Sequence, residues 1–220
     1  MEFDFSYLVE KWPALMGGLW LTIQVSLIAI VASIIVGVLG AAARVLSVPV
    51  IDKLVIGYVE FIRNTPLLAQ LFFIFYGLPG IGIRLSLFWS GVLSLTVWAG
   101  AYQIENIRGG LETVGKGLRE AAFSLGLTPW RFFRLVAAPL AIRVSLPAML
   151  NTSISLLKNS SYLQAIGLAE LTFVALDRVS MDFRTLEMFA ALCVIYLVLV
   201  LMLSFAANRI EYRLNAPFRM

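Results

Sequence analysis

The chain has 220 residues, of which 60% are hydrophobic and 14% charged, and its formal net charge is +4. Soluble domains average about 45–50% apolar and about 25% charged residues, so this composition excludes an ordinary water-soluble protein. With no histidine and a single cysteine, Cys193, the chain is not expected to form a disulfide within itself or to hold a metal. Its basic residues flank apolar runs, which is typical of membrane topology and not of nucleic-acid binding. We therefore expect an all-α integral membrane protein.

Five apolar segments are long enough to cross a bilayer, which takes about 20 helical residues. They are residues 18–43, 55–77, 86–106, 145–165 and 187–207. Residues 1–220 are accordingly predicted to form a single transmembrane domain of five helices, in which 107–144 is the one long connection.

The second segment contains a predicted break. Arg63, Asn64 and Thr65 precede Pro66, which has no N–H to donate and therefore breaks or kinks a helix. Gln70 lies one turn further in and is a candidate to face a cavity.

Polar and aromatic residues share one face of the third segment. Trp98, Tyr102 and Glu105 recur at helical spacing, and the first two are candidates to line a substrate pathway. Glu105 is expected to pair with Arg108 or Arg63, which is a structural role near the end of the segment.

The connection 107–144 is predicted to contain two short helices and a sharp bend within residues 116–136. Gly126 suits the position after a helix, where a positive φ is needed. Thr128 is a candidate N-cap, and Pro129 fits the first helical position because its missing N–H would have no partner there.

Small residues are expected to keep one side of this bend shallow. Ala121, Ala122 and Gly126 would let a partner approach the backbone, and Arg119 and Glu120 lie beside them. This pattern predicts a docking element for a soluble partner. The open alternative is an amphipathic helix that lies on the membrane.

One phosphate-binding pattern in the same connection is incomplete. Residues 110–116 match the first part of a phosphate-binding loop, but Gly117 follows where Ser or Thr would ligate magnesium, and no strand precedes the pattern. The chain is therefore predicted not to bind ATP itself.

The fourth segment carries a polar stripe. Asn151, Ser155, Lys158 and Tyr162 fall on one helical face, and ionisable residues inside a span mark a pathway by default. Interhelical hydrogen bonding without a pathway is the alternative explanation of such a stripe.

The distribution of Lys and Arg predicts the orientation, because cytoplasmic connections carry the excess. One side of the predicted topology holds Lys11, Arg84, Arg178 and Arg184, and Lys158 lies inside a span. The other side holds twelve basic residues: Arg44, Lys53, Arg63, Arg108, Lys116, Arg119, Arg131, Arg134, Arg143, Arg209, Arg213 and Arg219. The connection 107–144 and the C-terminus are therefore predicted to be cytoplasmic, and the N-terminus to be outside.

The order of several motifs resembles a known family. The Glu-Ala-Ala of residues 120–122, then Gly126, then Leu-Pro at 146–147 resemble the cytoplasmic loop of permease subunits of bacterial ATP-binding-cassette (ABC) importers. The segments FIRNTPLLAQ (61–70), YGLP (76–79), AYQIENIRGG (101–110) and LLKNSS (156–161) are similar to the polar amino acid permeases, the histidine/glutamate/glutamine/arginine/opine group.

This resemblance implies the fold, the function and the partners. It implies a type I importer permease with a coupling helix, in the inner membrane of a bacterium, that takes up a polar amino acid by alternating access. It implies two cytoplasmic subunits that bind ATP and magnesium, a second permease subunit, identical or similar, and an extracytoplasmic amino acid-binding protein. Glu120 would be the polar anchor of the coupling helix, and the chain itself would not be an enzyme.

Two other classes are weighed against this reading. An ATP-independent channel or secondary carrier would explain the polar stripes but leaves the docking element without a role, and no inverted repeat supports it. An intramembrane enzyme has little support, since no catalytic constellation can be named.

Overall fold

The computed structural model describes residues 3–45 and 49–215, and every regular element within them is helical. Four α-helices exceed twenty residues, and shorter helices connect them. In chain order the α-helices are α1 (Phe5–Val45), α2 (Pro49–Arg63), α3 (Leu67–Phe72), α4 (Leu87–Glu112), α5 (Lys116–Ser124), α6 (Pro129–Phe132), α7 (Ala138–Asn159), α8 (Leu171–Asp182) and α9 (Thr185–Asn215). Two π-helical turns, Phe73–Gly77 and Phe133–Ala137, and two 3₁₀ turns, Leu78–Ile81 and Ser160–Ile166, complete the list.

Helix α4 lies at the centre of the bundle, where it packs against both α1 and α7. Small residues of α1 allow the close approach to α4. A Cβ atom added to Gly37 would lie 2.5 Å from Cβ of Gln103, and one added to Gly40 would lie 2.4 Å from the side chain of Ile104. Close backbone contact of this kind is how helices associate in a membrane, where apolar burial gives no preference for protein over lipid.

Three of the described helical segments are long and apolar enough to span a membrane, and a bent pair makes a fourth. These are Phe5–Val45, Pro129–Ile166 and Thr185–Leu214, with Pro49–Arg63 and Leu67–Ile81 as the pair. They contain four of the five predicted spans. Helix α4, which contains the remaining one, does not meet that test, although its 26 residues are long enough. The number of five spans stays a prediction.

The second segment is broken where the sequence predicted. The segments Pro49–Arg63 and Leu67–Ile81 are bent by 110° at residues 64–66, so residues 55–77 are not one straight helix. The cause is Pro66, whose backbone is extended at φ −64° and ψ 136° before α3 begins.

The connection 107–144 was expected to contain two short helices, and it is more helical than that. Helix α4 runs on to Glu112, and α6 continues through a π-helical turn into α7. Residues 113–115 and 125–128 are the parts outside helices. The expected bend, the N-cap at Thr128 and proline at the first position of α6 are all present. The second predicted short helix, α6, is thus the start of a long helical segment. After Pro129 the next helix breaker is Pro139, and the π-helical turn before it accommodates that proline.

Helix α8 was not predicted from the sequence, and it lies at the end of the bundle that is expected to face outside. Its C-terminal Asp182 accepts a 2.7 Å hydrogen bond from the Tyr7 hydroxyl, which lowers the pKa of that carboxyl. Arg184 forms ion pairs with Asp4 at 3.6 Å and with Glu187 at 3.2 Å. These contacts join α8 and the start of α9 to the start of α1.

Candidate functional site

An open cavity of about 390 Å³ lies between α4 and α7. Its six lining residues are Trp98, Tyr102, Asn151, Thr152, Ser155 and Asn159. The two rings lie one helical turn apart with their centroids 4.8 Å from each other. None of the six side chains is charged, so the cavity offers two aromatic faces and four amide or hydroxyl groups to a small polar molecule.

Four of the pathway candidates from the sequence meet in this cavity: Trp98, Tyr102, Asn151 and Ser155. Thr152 and Asn159 were missed. Asn159 lies four residues after Ser155 and eight after Asn151, so the helical spacing itself was a signal for it.

The three remaining pathway candidates do not line the cavity. Lys158 is exposed on α7, and Tyr162 lies in the following 3₁₀ turn with 46% of its surface exposed. Gln70 is buried, and its amide nitrogen donates to the carbonyl oxygens of Ile62 and Thr65. The expectation that Gln70 faces the cavity is therefore wrong, because its side chain folds back onto the end of α2.

Polar contacts join α4 and α7 beside the cavity. The Asn106 amide donates to the Thr152 hydroxyl at 2.9 Å, and the Gln103 amide donates to the carbonyl of Met149 at 3.2 Å. Because Thr152 both lines the cavity and bonds to α4, one wall is tied to the other.

Charged residues form a network on the three helices α1, α2 and α4. Glu105 pairs with Arg44 at 2.8 Å and with Arg108 at 2.7 Å, and Arg44 also reaches Asp52 at 3.3 Å. The predicted pair of Glu105 with Arg108 is thus present. Arg44 is a partner that the sequence analysis missed, since it lies 61 residues away along the chain.

Arg63 is placed differently from these charges. Its guanidinium lies over the ring of Tyr102, 5.4 Å from the centroid. The last residue of α2 thus contacts a side chain of the cavity wall.

The docking segment is an exposed helical hairpin made of α5, the bend and α6. Gly126 has φ +79° and ends α5 as predicted. Its N–H bonds to the carbonyl of Phe123, and the N–H of Leu127 bonds to that of Ala122, which is the Schellman pattern. Arg119, Glu120 and Ala121 are exposed.

Ala122 does not contribute to a shallow surface. It is 5% exposed and packs with Phe132 and Ala137 in a small core of the hairpin, because the residues that follow the bend cover it. Five large apolar side chains around the bend stay exposed by 39–83%: Leu118, Phe123, Leu125, Trp130 and Phe133. An apolar surface of this kind marks an interaction site with a membrane or a protein.

Comparison with known proteins gives consistent matches over nearly the whole chain. Residues 29–216 match the family model described as the binding-protein-dependent transport system inner membrane component. The chain is 34% identical over 217 residues to the glutamine transport system permease protein GlnP of Escherichia coli strain K12, covering 98% of this chain and 99% of that protein. It is 36% identical over 221 residues to the probable amino-acid ABC transporter permease protein PatM of Vibrio harveyi, with 99% of each covered.

Two solved structures share the fold. An amino acid ABC transporter crystallised with histidines superposes with a TM-score of 0.90 at 35% identity, covering 97% of this chain and all of that one. The inward-facing MetNI methionine ABC transporter superposes with a TM-score of 0.76 at 20% identity, covering 93% and 98% of the two chains, and supports the fold alone.

Proposed function

Since the chain belongs to the family of inner membrane components of binding-protein-dependent transport systems, we propose that it carries a polar amino acid across the membrane by alternating access. It is a multi-pass permease subunit with the type I permease fold. The names of its relatives, among them a glutamine permease and a probable amino-acid permease, support an amino acid as the cargo.

The observation that carries this proposal is the cavity between α4 and α7. A zwitterionic amino acid needs hydrogen-bond partners inside the bundle, and Asn151, Ser155 and Asn159 supply donors and acceptors there. Trp98 supplies a face that attracts an ammonium group, whereas the ring of Tyr102 already carries the Arg63 guanidinium. Transport requires weak, reversible binding, which suits a cavity whose six lining side chains are uncharged.

The exposed hairpin supports a second part of the proposal, a cytoplasmic ATP-hydrolysing partner. We infer that α5 docks into such a subunit through Glu120 and the apolar side chains around the bend. The partner would bind the ATP and magnesium, and two copies of it would serve a pair of permease subunits. An extracytoplasmic amino acid-binding protein would deliver the cargo, and the N-terminus would lie on that side.

Charge reversal at the hairpin tests this assignment. In the assembled complex, Glu120→Lys is expected to lower amino acid uptake by at least about tenfold, a coupling loss of about 1.4 kcal/mol, while the partner still hydrolyses ATP. Glu120→Asp keeps the carboxylate and is the matched control. Uptake and ATPase rate are measured on the same proteoliposomes.

Two outcomes would contradict the proposal. Normal uptake by Glu120→Lys would remove the docking role of α5. Uptake that persists in wild-type proteoliposomes without ATP would instead favour a channel or a secondary carrier.

A further inference from the structure

The break between α2 and α3 creates a hydrogen-bonding problem. The last carbonyls of any helix lack N–H partners, and Pro66 supplies no N–H to any of them. Wherever the surrounding chain shields such groups from water, they need partners within the protein. Nearby side chains that donate to the end of α2 therefore stabilise the break.

Three side chains donate to three successive carbonyls at this end, and the first of these, that of Glu60, also accepts the backbone N–H of Asn64 at 3.2 Å. The Asn64 amide donates to Glu60 at 2.8 Å, and the Thr65 hydroxyl donates to Phe61 at 2.8 Å. The Gln70 amide donates to the third carbonyl, that of Ile62, at 2.9 Å. Asn64 and Thr65 act within their own turn, whereas Gln70 reaches back from α3 across the break.

Gln70 makes further bonds to the break itself. Its amide nitrogen lies 3.1 Å from the Thr65 carbonyl and 2.9 Å from the Thr65 hydroxyl oxygen. The side chain is 7% exposed, and its Oε1 accepts no hydrogen bond from the described residues. Gln70 thus acts here purely as a donor, and an acceptor at this position would meet three oxygens.

The end of α2 that Gln70 holds is also the end that contacts the cavity wall. Arg63 is the next residue after Ile62, and its guanidinium covers the ring of Tyr102 at 5.4 Å. Earlier in α2 the Tyr58 hydroxyl donates to the carbonyl of Val97 at 2.6 Å. Loss of the bond from Gln70 to the Ile62 carbonyl would loosen the last turn of α2, and Arg63 with it, while Tyr58 keeps the rest of α2 attached to α4.

We propose that Gln70 is a positioning residue, which clamps the break between α2 and α3 and so holds Arg63 against Tyr102 at the wall of the cavity. It acts on the cargo through Arg63 and Tyr102 and does not touch it. The expected effect of Gln70 on which amino acid is carried rests on the proposed function, whereas its role as a clamp of the break does not.

A distance measurement tests the clamp. Spin labels at Leu54→Cys on α2 and Phe73→Cys after α3, both about 70% exposed, report the angle of the break in a Cys193→Ser background. In the assembled complex, Gln70→Met, which removes the donor at similar size, is expected to shift or broaden the distance distribution. Ala69→Met places the same side chain on the exposed neighbouring position and is expected to leave the distribution unchanged.

A ratio of uptake rates tests the positioning role. The rates for two competing polar amino acids share the same amount of folded complex, so a loss of folding alone cannot change their ratio. Gln70→Met is expected to change this ratio by about 2- to 30-fold, as for a residue that modulates a site without contacting its ligand. Ala69→Met is again the control.

A second pair of variants covers the case in which Gln70→Met does not assemble. Thr65→Val removes the hydroxyl that bonds to Phe61 and Gln70, and it is expected to change both the distance distribution and the uptake ratio as Gln70→Met does. Thr65→Ser keeps the hydroxyl and is expected to behave as wild type. Unchanged distances in Gln70→Met and Thr65→Val would overturn the clamp. Changed distances with an unchanged uptake ratio would overturn the positioning role. Absence of amino acid uptake in the wild type would refute the proposed function and leave the distance test standing.

Discussion

Glu170 is a fully buried carboxylate that the sequence analysis did not single out. It caps α8 by accepting the N–H groups of Thr172 at 3.0 Å and Phe173 at 2.8 Å. The Tyr196 hydroxyl of α9 donates to it at 3.2 Å, and the Thr22 hydroxyl of α1 lies at 3.4 Å. One side chain thus joins three helices, so its loss affects all of them at once.

Replacement of Glu170 is expected to destabilise the outer end of the bundle. In Glu170→Ala, each buried donor left without an acceptor costs about 1–3 kcal/mol, so the midpoint of thermal unfolding in detergent should fall clearly. Glu170→Gln keeps one carbonyl acceptor and should fall less. Glu10→Ala removes a carboxylate that is 70% exposed and is the control. Equal midpoints for Glu170→Ala and Glu10→Ala would contradict the structural role.

Helical spacing predicted part of the cavity because four of its residues repeat within α4 and α7. The same spacing placed the edge of the cavity-lining face of α7 incorrectly. At about 100° per residue, the lining residues of α7 centre between Ser155 and Asn159, and Lys158 lies beyond Asn151, outside the edge of that face. Gln70 was misplaced for another reason: spacing along one helix says nothing of a side chain that turns back across a break.

At the scale of elements, the packing of α1 on α4 depends on small residues. Gly37 is buried in that contact, and a Cβ atom there would lie 2.5 Å from Cβ of Gln103 and 3.1 Å from its backbone carbonyl carbon. Neither atom is the tip of a flexible side chain. The two helices would have to separate to admit a methyl group.

Gly37→Ala is therefore expected to destabilise the protein by about 1–3 kcal/mol, the usual cost of overpacking. Gly57→Ala on α2 makes the same change in open space, where alanine favours a helix by up to about 1 kcal/mol. Opposite shifts in the thermal unfolding midpoint are expected. A common shift for the two variants would show that helix propensity, and not packing, decides the effect.

The elements that the sequence predicted well are those with strong local signals. Pro66 fixed the break after α2, and Gly126 and Thr128 fixed the bend after α5. Helix α8 was missed because its 12 residues are too short to read as a span and its cap is a glutamate, which is not one of the usual capping residues. The ends of the helices that contain the third and fourth predicted spans fall within residues 107–144. The sequence analysis missed them because helices α4 and α7 extend beyond their apolar parts.

At the scale of the molecule, the most central helix carries polar side chains where it contacts other helices. Helix α4 carries buried Ser90, Ser94, Thr96 and Gln103, and it lies between α1 and α7. A helix enclosed by others needs no apolar surface of its own, so hydropathy underestimates it. The third predicted span, residues 86–106, is therefore the most central helix and the one predicted span that is not apolar enough to stand out as membrane-crossing.

The basic residues predict the orientation across the membrane, and all but Arg219 of those assigned to the cytoplasmic side lie within the described residues. Two exposed positions at opposite ends of the bundle can test it. Phe183, 79% exposed after α8, is expected outside, and Leu125, 83% exposed in the bend after α5, is expected in the cytoplasm. Each is changed to cysteine in a Cys193→Ser background and treated in intact spheroplasts with a maleimide that does not cross the membrane.

Phe183→Cys is expected to react in intact spheroplasts and Leu125→Cys only after permeabilisation, because the excess of Lys and Arg predicts that the connection after α4 lies in the cytoplasm. Cys193→Ser without an added cysteine gives the background of labelling. Reaction of Leu125→Cys from outside, with Phe183→Cys protected, would invert the topology and exclude a cytoplasmic ATPase at the hairpin. Equal reaction of both before permeabilisation would mean that the two positions lie on one side, which would contradict the single span, residues 145–165, that is predicted between them.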